Sequence, residues 1–206
     1  MDLKDSRTKE NLMRAFAGES QARNRYTFAA QLAKEKGFFA VKQIFDFTAK
    51  QEETHARVFY DFLKELDGEN IDINAGYPVN KSEDLLTQLK AAVHNEYEES
   101  DSAYNEFGNI AKEEGFTHIA TKFYLIADIE RTHGQRFEDI AKLMEEGKLF
   151  VSDVKTGWVC LGCGYVVESE IAPKNCPVCD SDQGYFIRLS MAPYAGNNAG
   201  NYEQKH

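Results

Sequence analysis

Two short patterns in this chain carry chemistry. Glu52-x-x-His55 and Glu130-x-x-His133 are the same unit, set 78 positions apart. Residues three apart share one face of a helix, so each Glu and its His can aim at one point. Glu19 and Glu96 stand alone in two other, largely apolar stretches. One Glu from each of two helices, with Glu-x-x-His from each of two more, is the donor set of a di-iron or di-manganese carboxylate site. Two divalent ions a few ångströms apart need several anionic oxygens to offset their charge, and carboxylates can bridge them. A lone Glu-x-x-His is weak, because helices abound in solvated Glu. Two copies at a matched offset make a metal site the better reading.

These donors need four long helices. Gly37, Gly68, Gly115 and Gly147 each close a helix-compatible stretch, where a C-terminal glycine belongs. The pattern predicts helices over 6–36, 39–67, 82–114 and 117–146, with Ser82 as N-cap of the third. Two hairpins turning at single glycines, joined by a long crossover containing Pro78, are the ferritin-like bundle topology. The hairpins also repeat each other. Lys34-Glu35-Lys36-Gly37-Phe38 returns as Lys112-Glu113-Glu114-Gly115-Phe116, and Tyr26, Phe45 and Phe59 return as Tyr104, Phe123 and Phe137, all at the same offset of 78. The repetition points to internal duplication and a pseudo-two-fold bundle.

One irregularity is informative. Glu19 and Tyr26 are seven residues apart, but Glu96 and Tyr104 are eight. An extra residue inside a helix is absorbed as a π-bulge, and such bulges gather at functional sites. The insertion spans Glu99, which is expected to join the metals as an additional ligand. Tyr26 and Tyr104 are placed to hydrogen-bond ligating carboxylates, or simply to pack in the core. Glu53, Glu98, Glu113 and Glu114 are assigned to solvent or ion pairs, and His94 and His118 to the helix surface or a cap.

All four cysteines lie in Cys160-x-x-Cys163 and Cys176-x-x-Cys179. Two such turns make a tetrahedral four-thiolate site for zinc or a single iron. Zinc would make it a structural knuckle, and iron a one-electron carrier. Trp158, Tyr165 and Phe186 are the expected aromatic core of this module, which needs its metal to stay folded. The domain reading is therefore bundle 1–146, linker 147–157, cysteine module 158–191 and a Gly/Asn/Ala-rich flexible tail 192–206.

Composition narrows the function. The chain has 206 residues, 42% hydrophobic and 28% charged, with a net charge of −10 and no basic stripe. That balance argues against gripping nucleic acid or anionic lipid. No apolar run approaches the roughly 18 residues of a membrane span, and the N-terminus lacks an apolar signal core. The expected compartment is the reducing cytoplasm.

With these motifs in hand, residues 1–191 resemble the rubrerythrin family. The bundle looks like its ferritin-like di-iron domain. Cys160-Leu161-Gly162-Cys163-Gly164-Tyr165 and Cys176-Pro177-Val178-Cys179 look like its rubredoxin domain. The resemblance implies Glu19, Glu52, Glu96, Glu99, Glu130 and His133 as di-iron ligands, with His55 exchanging with Glu99 as the irons change oxidation state. It also implies iron on the four cysteines. The implied activity is a peroxidase protecting against oxidative stress. It would reduce hydrogen peroxide to water with electrons from NAD(P)H, delivered through a separate reductase. Geometry adds that Glu130 and Glu146 are about 24 Å apart along the last helix. A head-to-tail homodimer would therefore shorten the path from one chain's cysteines to the other's bundle. The same ligands also serve ferroxidase and iron-storage proteins, although storage needs no appended carrier. A zinc-stabilised binding protein is the third reading.

Overall fold

The structure is a computed structural model, and it describes residues 1–193. Four long rods form a bundle: α1 (Arg7–Glu35), α2 (Phe39–Phe62), the run α3 (Leu85–Glu98), π-helical Glu99–Ala103 and α4 (Tyr104–Glu113), and α5 (Thr117–Glu145). Among the described residues no helix is long and apolar enough to cross a membrane.

The hairpins turn where sequence places glycine, for a backbone reason. Gly37 and Gly115 have φ of 79° and 91°, a region costly for any residue with a Cβ. The same closure follows at each. Phe38 N–H donates to Ala33 O at 2.8 Å, and Phe116 N–H to Ala111 O at 2.7 Å, satisfying carbonyls the helix ends would orphan.

Other boundaries differ from expectation. The second helix stops at Phe62 and tightens into a 3₁₀ turn, Lys64–Leu66, instead of running to 67. The third starts at Leu85, not 82. Asp84 is its N-cap, accepting from Thr87 N–H at 2.8 Å, while Ser82 Oγ accepts from Asp84 N–H one step upstream. The carboxylate is the stronger acceptor at the positive helix end. The extra residue between Glu96 and Tyr104 is taken up by the π-helical turn Glu99–Ala103.

The duplication is visible in the core. Tyr26, Phe45 and Phe137 form one aromatic triad, with ring centroids 4.9 to 6.0 Å apart. Tyr104, Phe123 and Phe59 form its counterpart, also spaced 4.9 to 6.0 Å. Each triad takes two residues from one repeat and one from the other, as a pseudo-two-fold axis requires. All four phenylalanines are fully buried. Each contributes on the order of 1.5–3 kcal/mol by leaving water.

The C-terminal module is a three-stranded antiparallel sheet ordered β2-β1-β3, with β1 at Val151–Cys160, β2 at Val166–Ile171 and β3 at Phe186–Arg188. The stretch expected as linker is strand from Val151 onward, paired with Ile171. Trp158 and Phe186 lie in the core beside Cys160 and Cys176, with Tyr165 packed against them. The module rests on the α1–α2 turn. Tyr185 stacks on Phe39 at 4.1 Å, and a Cβ on Gly184 would collide with the Gly37 carbonyl. Ala192 packs at the edge of this contact. Residues 194–206 of the tail expected to be flexible lie outside the described residues.

Candidate metal centres

Six side chains from four helical segments meet in the middle of the bundle. Glu19 comes from α1, Glu52 and His55 from α2, Glu96 from α3, and Glu130 and His133 from α5. Glu19, Glu52, Glu96, Glu130 and His133 are at most 1% exposed, and His55 is 6% exposed. They fall into two groups, Glu19-Glu52-His55-Glu130 and Glu52-Glu96-Glu130-His133. In each, one donor atom per residue lies within 4.8 Å of all the others.

Glu52 and Glu130 belong to both groups. Glu52 turns Oε2 toward His55 Nδ1 at 3.3 Å and Oε1 toward His133 Nδ1 at 2.9 Å. Glu130 does the same, with Oε1 at 2.8 Å from His55 and Oε2 at 2.7 Å from His133. Two carboxylates thus span the space between two imidazoles, the arrangement that bridges a pair of cations. Glu19 and Glu96 close the outer ends, 3.8 Å from His55 and 3.5 Å from His133.

Both outer carboxylates are fixed by tyrosines from across the bundle. Tyr104 Oη donates to Glu19 Oε1 at 2.5 Å, and Tyr26 Oη donates to Glu96 Oε1. Each acid is left with its Oε2 facing inward. Those oxygens, both oxygens of Glu52 and Glu130, and Nδ1 of both histidines are buried, and their close N···O contacts lack the angles of a hydrogen bond. So many orphaned donor atoms around one space are costly unless cations fill it. The residues present therefore fit two divalent ions.

The electrostatics agree. Burial and the surrounding carboxylates push Glu19 and Glu96 well above the usual carboxylate range. Burial alone would raise Glu52, but His133 and His55 hold it down to about 2. Burial opposes charge on His55, yet Glu130 and Glu52 raise it to about 9, and the equivalent crowding raises His133 to about 12.

Glu99 lies at the edge of this cluster. Burial and the charges of Glu96, Glu130 and Glu52 push it up, so it feels the site, but its oxygens belong to neither donor group. The acids assigned to the surface sort as expected, with one exception. Glu53 pairs with Lys50 and Arg23, and His94 faces Glu98 at 3.9 Å on the outside. His118 packs edge-on against Phe62. Glu114 does more: it caps α1 from 107 residues away, accepting from Arg7 N–H at 3.0 Å and from Thr8 N–H at 2.9 Å. Sequence reading also missed Arg136. One turn beyond His133, it donates to Thr48 Oγ1 at 2.9 Å and Gln51 Oε1 at 3.0 Å, placing a cation behind the cluster. The Arg three residues after His133 was the available signal.

In the module the four thiols form the second centre. Cys160 and Cys176 are buried, Cys163 and Cys179 exposed. Each Cys-x-x-Cys turn ends in a left-handed residue, Gly164 at φ 82° and Asp180 at φ 58°. Gly164 N–H returns to Cys160 O at 2.8 Å, and Asp180 N–H to Cys176 O at 2.9 Å. The Ser181 hydroxyl and amide hold Cys179 down to about 6. The Tyr165 amide favours the Cys163 thiolate, but its thiol neighbours push that group up to about 12.

A carboxylate-and-histidine cluster inside a four-helix bundle, followed by a four-cysteine sheet module, defines a ferritin-like di-iron protein with a rubredoxin-like appendage. Comparisons with known proteins place it further. The rubrerythrin family model matches residues 10–153, and the model of the rubrerythrin rubredoxin-like domain matches 158–187. The chain is 45% identical to a rubrerythrin of Clostridium perfringens, over 89% of this chain and 95% of that one. It is 46% identical to rubrerythrin-1 of Clostridium acetobutylicum, over 91% and 97%. A solved structure of nigerythrin superposes with a TM-score of 0.60 at 26% identity, covering 89% of this chain and 90% of that one. Bacterioferritin of Mycobacterium tuberculosis shares the fold, with a TM-score of 0.61 at 21% identity over 69% and 88%. The chain belongs to the rubrerythrin family, whose members are oxidoreductases. It carries a di-iron carboxylate/histidine site in the bundle and a four-cysteine rubredoxin-like site.

Proposed function

We propose that the protein is a hydrogen peroxide reductase, with Glu19, Glu52, His55, Glu96, Glu99, Glu130 and His133 serving the di-iron site and Cys160, Cys163, Cys176 and Cys179 holding one further iron. The reaction consumes hydrogen peroxide, two protons and two electrons and yields two waters. Held in these places, a ferrous pair would supply both electrons for cleavage of the O–O bond, and an iron on the four cysteines would return them singly. The chain's own residues prepare the site. Tyr104 and Tyr26 orient Glu19 and Glu96 so that each offers one oxygen inward. Glu52 and Glu130 span both imidazoles. The bundle closes the six central donors off from bulk water.

The observation that carries the reading is two metal centres of different donor chemistry on one chain. A storage or ferroxidase protein has no use for the second. Phe39 and Glu52 are separated by about 20 Å of helix, and the module sits at the Phe39 end. That is long for a one-electron step, which favours delivery across a head-to-tail homodimer. The electrons then come from an NAD(P)H-dependent reductase that docks at the module.

Metal analysis and an optical spectrum of anaerobically purified protein test the assignment. Three irons per chain with thiolate-to-iron bands are expected, whereas a colourless, zinc-loaded module would remove the carrier. Mixing the reduced protein rapidly with peroxide or dioxygen tests the substrate. Faster oxidation by peroxide is expected; faster oxidation by dioxygen would favour the ferroxidase reading.

A further inference from the structure

The crossover between α2 and α3 does more than join the hairpins. Residues 69–84 contain no regular secondary structure, yet the segment is pinned along its length. Asn74 O accepts from Arg14 Nε at 3.1 Å, and Tyr77 Oη donates to Arg14 O at 2.8 Å. Asn80 Oδ1 accepts from Arg25 Nη1 and Asn95 Nδ2, both at 2.9 Å. Under this strap lies a cavity of about 260 Å³, whose lining includes Gly18, Tyr77, Pro78, Glu99, Tyr104 and Phe107. A water's share of liquid volume is roughly 30 Å³, so several water-sized molecules fit.

The cavity borders the metal site through residues that touch or adjoin its donors. Tyr104, in its wall, donates to Glu19, and Gly18 directly precedes Glu19. Glu99, the seventh donor proposed for the site, is also in its wall. Glu99 is half-buried, while the other carboxylates of the site are closed off. Among the described residues, the cavity of about 780 Å³ between α2, α5 and the module, and that of about 760 Å³ near Phe62 and His118, include neither the six donors nor Glu99 in their lining. The space beside Tyr26, about 10 Å³, has room for about one water and is lined by neither the six donors nor Glu99.

Strap and helix face each other across the cavity at Tyr77 and Gly18. A Cβ on Gly18 would stand 3.6 Å from Tyr77 Cε1, so glycine keeps the gap open and the phenol ring limits it. We infer that this cavity is the route by which peroxide reaches the di-iron site, and that Tyr77, facing Gly18, sets the size of hydroperoxide admitted. The inference rests on the peroxidase reading for its substrate, and on geometry alone for the route. It makes hydrogen peroxide the preferred substrate and bulky alkyl hydroperoxides poor ones.

The test uses the full iron-loaded chain. Oxidation of the diferrous protein is timed with hydrogen peroxide and with tert-butyl hydroperoxide. Tyr77→Ala is expected to raise the ratio of the tert-butyl to the hydrogen peroxide rate constant by about tenfold, the scale of discrimination by a few methylene groups. Tyr77→Phe keeps the ring and should keep the wild-type ratio. Gly18→Leu is expected to slow both reagents, and to slow the association of azide, followed optically as a binding probe, by about tenfold. An unchanged ratio in Tyr77→Ala overturns the role of Tyr77. Unchanged azide association in a folded, iron-replete Gly18→Leu protein overturns the route. Should Gly18→Leu not fold, azide association in Tyr77→Ala decides instead, with acceleration expected and no change refuting. If the wild type is inert to peroxide, the peroxidase reading fails, while the azide measurement still judges the route.

Discussion

At the scale of single residues, the centre is a balance of buried charge that metal or protons must strike. In the metal-free chain His55 is raised from 6.5 to about 9 and His133 to about 12, by the acids around them. A base raised in this way stabilises the fold fully below the unfolded value and loses that contribution as pH climbs through the folded one. Glu19, Glu96 and Glu99, pushed up chiefly by burial, act in the same direction, because above 4.5 the unfolded chain sheds protons that the folded chain keeps. Within the bundle site Glu52 opposes: lowered to about 2, it stabilises above 4.5 and is lost only in strong acid, and in the module Cys179, held at about 6, opposes between about 6 and 9 but is outnumbered by the raised groups. The metal-free protein should therefore unfold at lower urea concentration as pH rises from 6.5 toward about 9. Metal affinity should rise over the same window, since the ions compete with those protons. A urea midpoint that rose with pH in the metal-free protein would contradict this account. Tyr104→Phe isolates the outer acid. It removes the 2.5 Å donor that aims Glu19, and partners of this kind are worth about 10–100-fold in metal affinity. Chelator competition should show that loss, with circular dichroism unchanged.

At the scale of elements, the π-helical turn is where the two repeats part company. It absorbs one residue while keeping both Glu96 and Tyr104 in the core, so its effect falls on Glu99. Deleting Ser102, which is exposed, should restore the spacing found in α1. Thermal stability should be kept or raised, since a regular α-helix replaces the π turn, while peroxide turnover falls at least tenfold as Glu99 is re-aimed. A deletion variant with full turnover would make the bulge an accident of descent. Much of this architecture was legible in sequence because its signals are local. Glycine marks the left-handed helix ends, and a shared offset of 78 marks the duplication. What escaped is decided by competition or by distance. Ser82 and Asp84 both suit an N-cap, and the stronger acceptor wins. Leu63 and Leu66 extend the apolar pattern of α2, but the chain tightens there and leaves the helix. Glu114 caps a helix whose start lies 107 residues upstream, which no spacing rule reaches. Spacing likewise named the six central donors but could not say that Glu52 and Glu130 face both imidazoles, because sharing depends on how two hairpins meet.

At the scale of the molecule, the placement of the module matters most. Stacking of Tyr185 on Phe39, and the backbone approach of Gly184 to Gly37, seat it on the closed end of its own bundle, about 20 Å of helix from Glu52. A carrier held there serves its own di-iron site poorly. In a head-to-tail pair, the same seat would bring it to the partner's bundle. Complementation tests this directly. One chain carries Cys160→Ala with Cys176→Ala, so it has a bundle and no carrier. The other carries Glu52→Ala with Glu130→Ala, so it has a carrier and no bundle site. Each alone should be inactive in reductase-driven peroxide turnover. Mixed dimers, formed by co-expression and separated by two different tags, should regain activity if electrons cross between chains. The companion hybrid confines both lesions to one chain beside an intact partner. Under cross-chain delivery that hybrid is inactive, because each half lacks what the other needs. Under in-chain delivery the outcomes reverse: the companion works through its intact chain and the first hybrid is silent. The two hybrids contain identical sets of sites, so only the geometry of delivery can separate them.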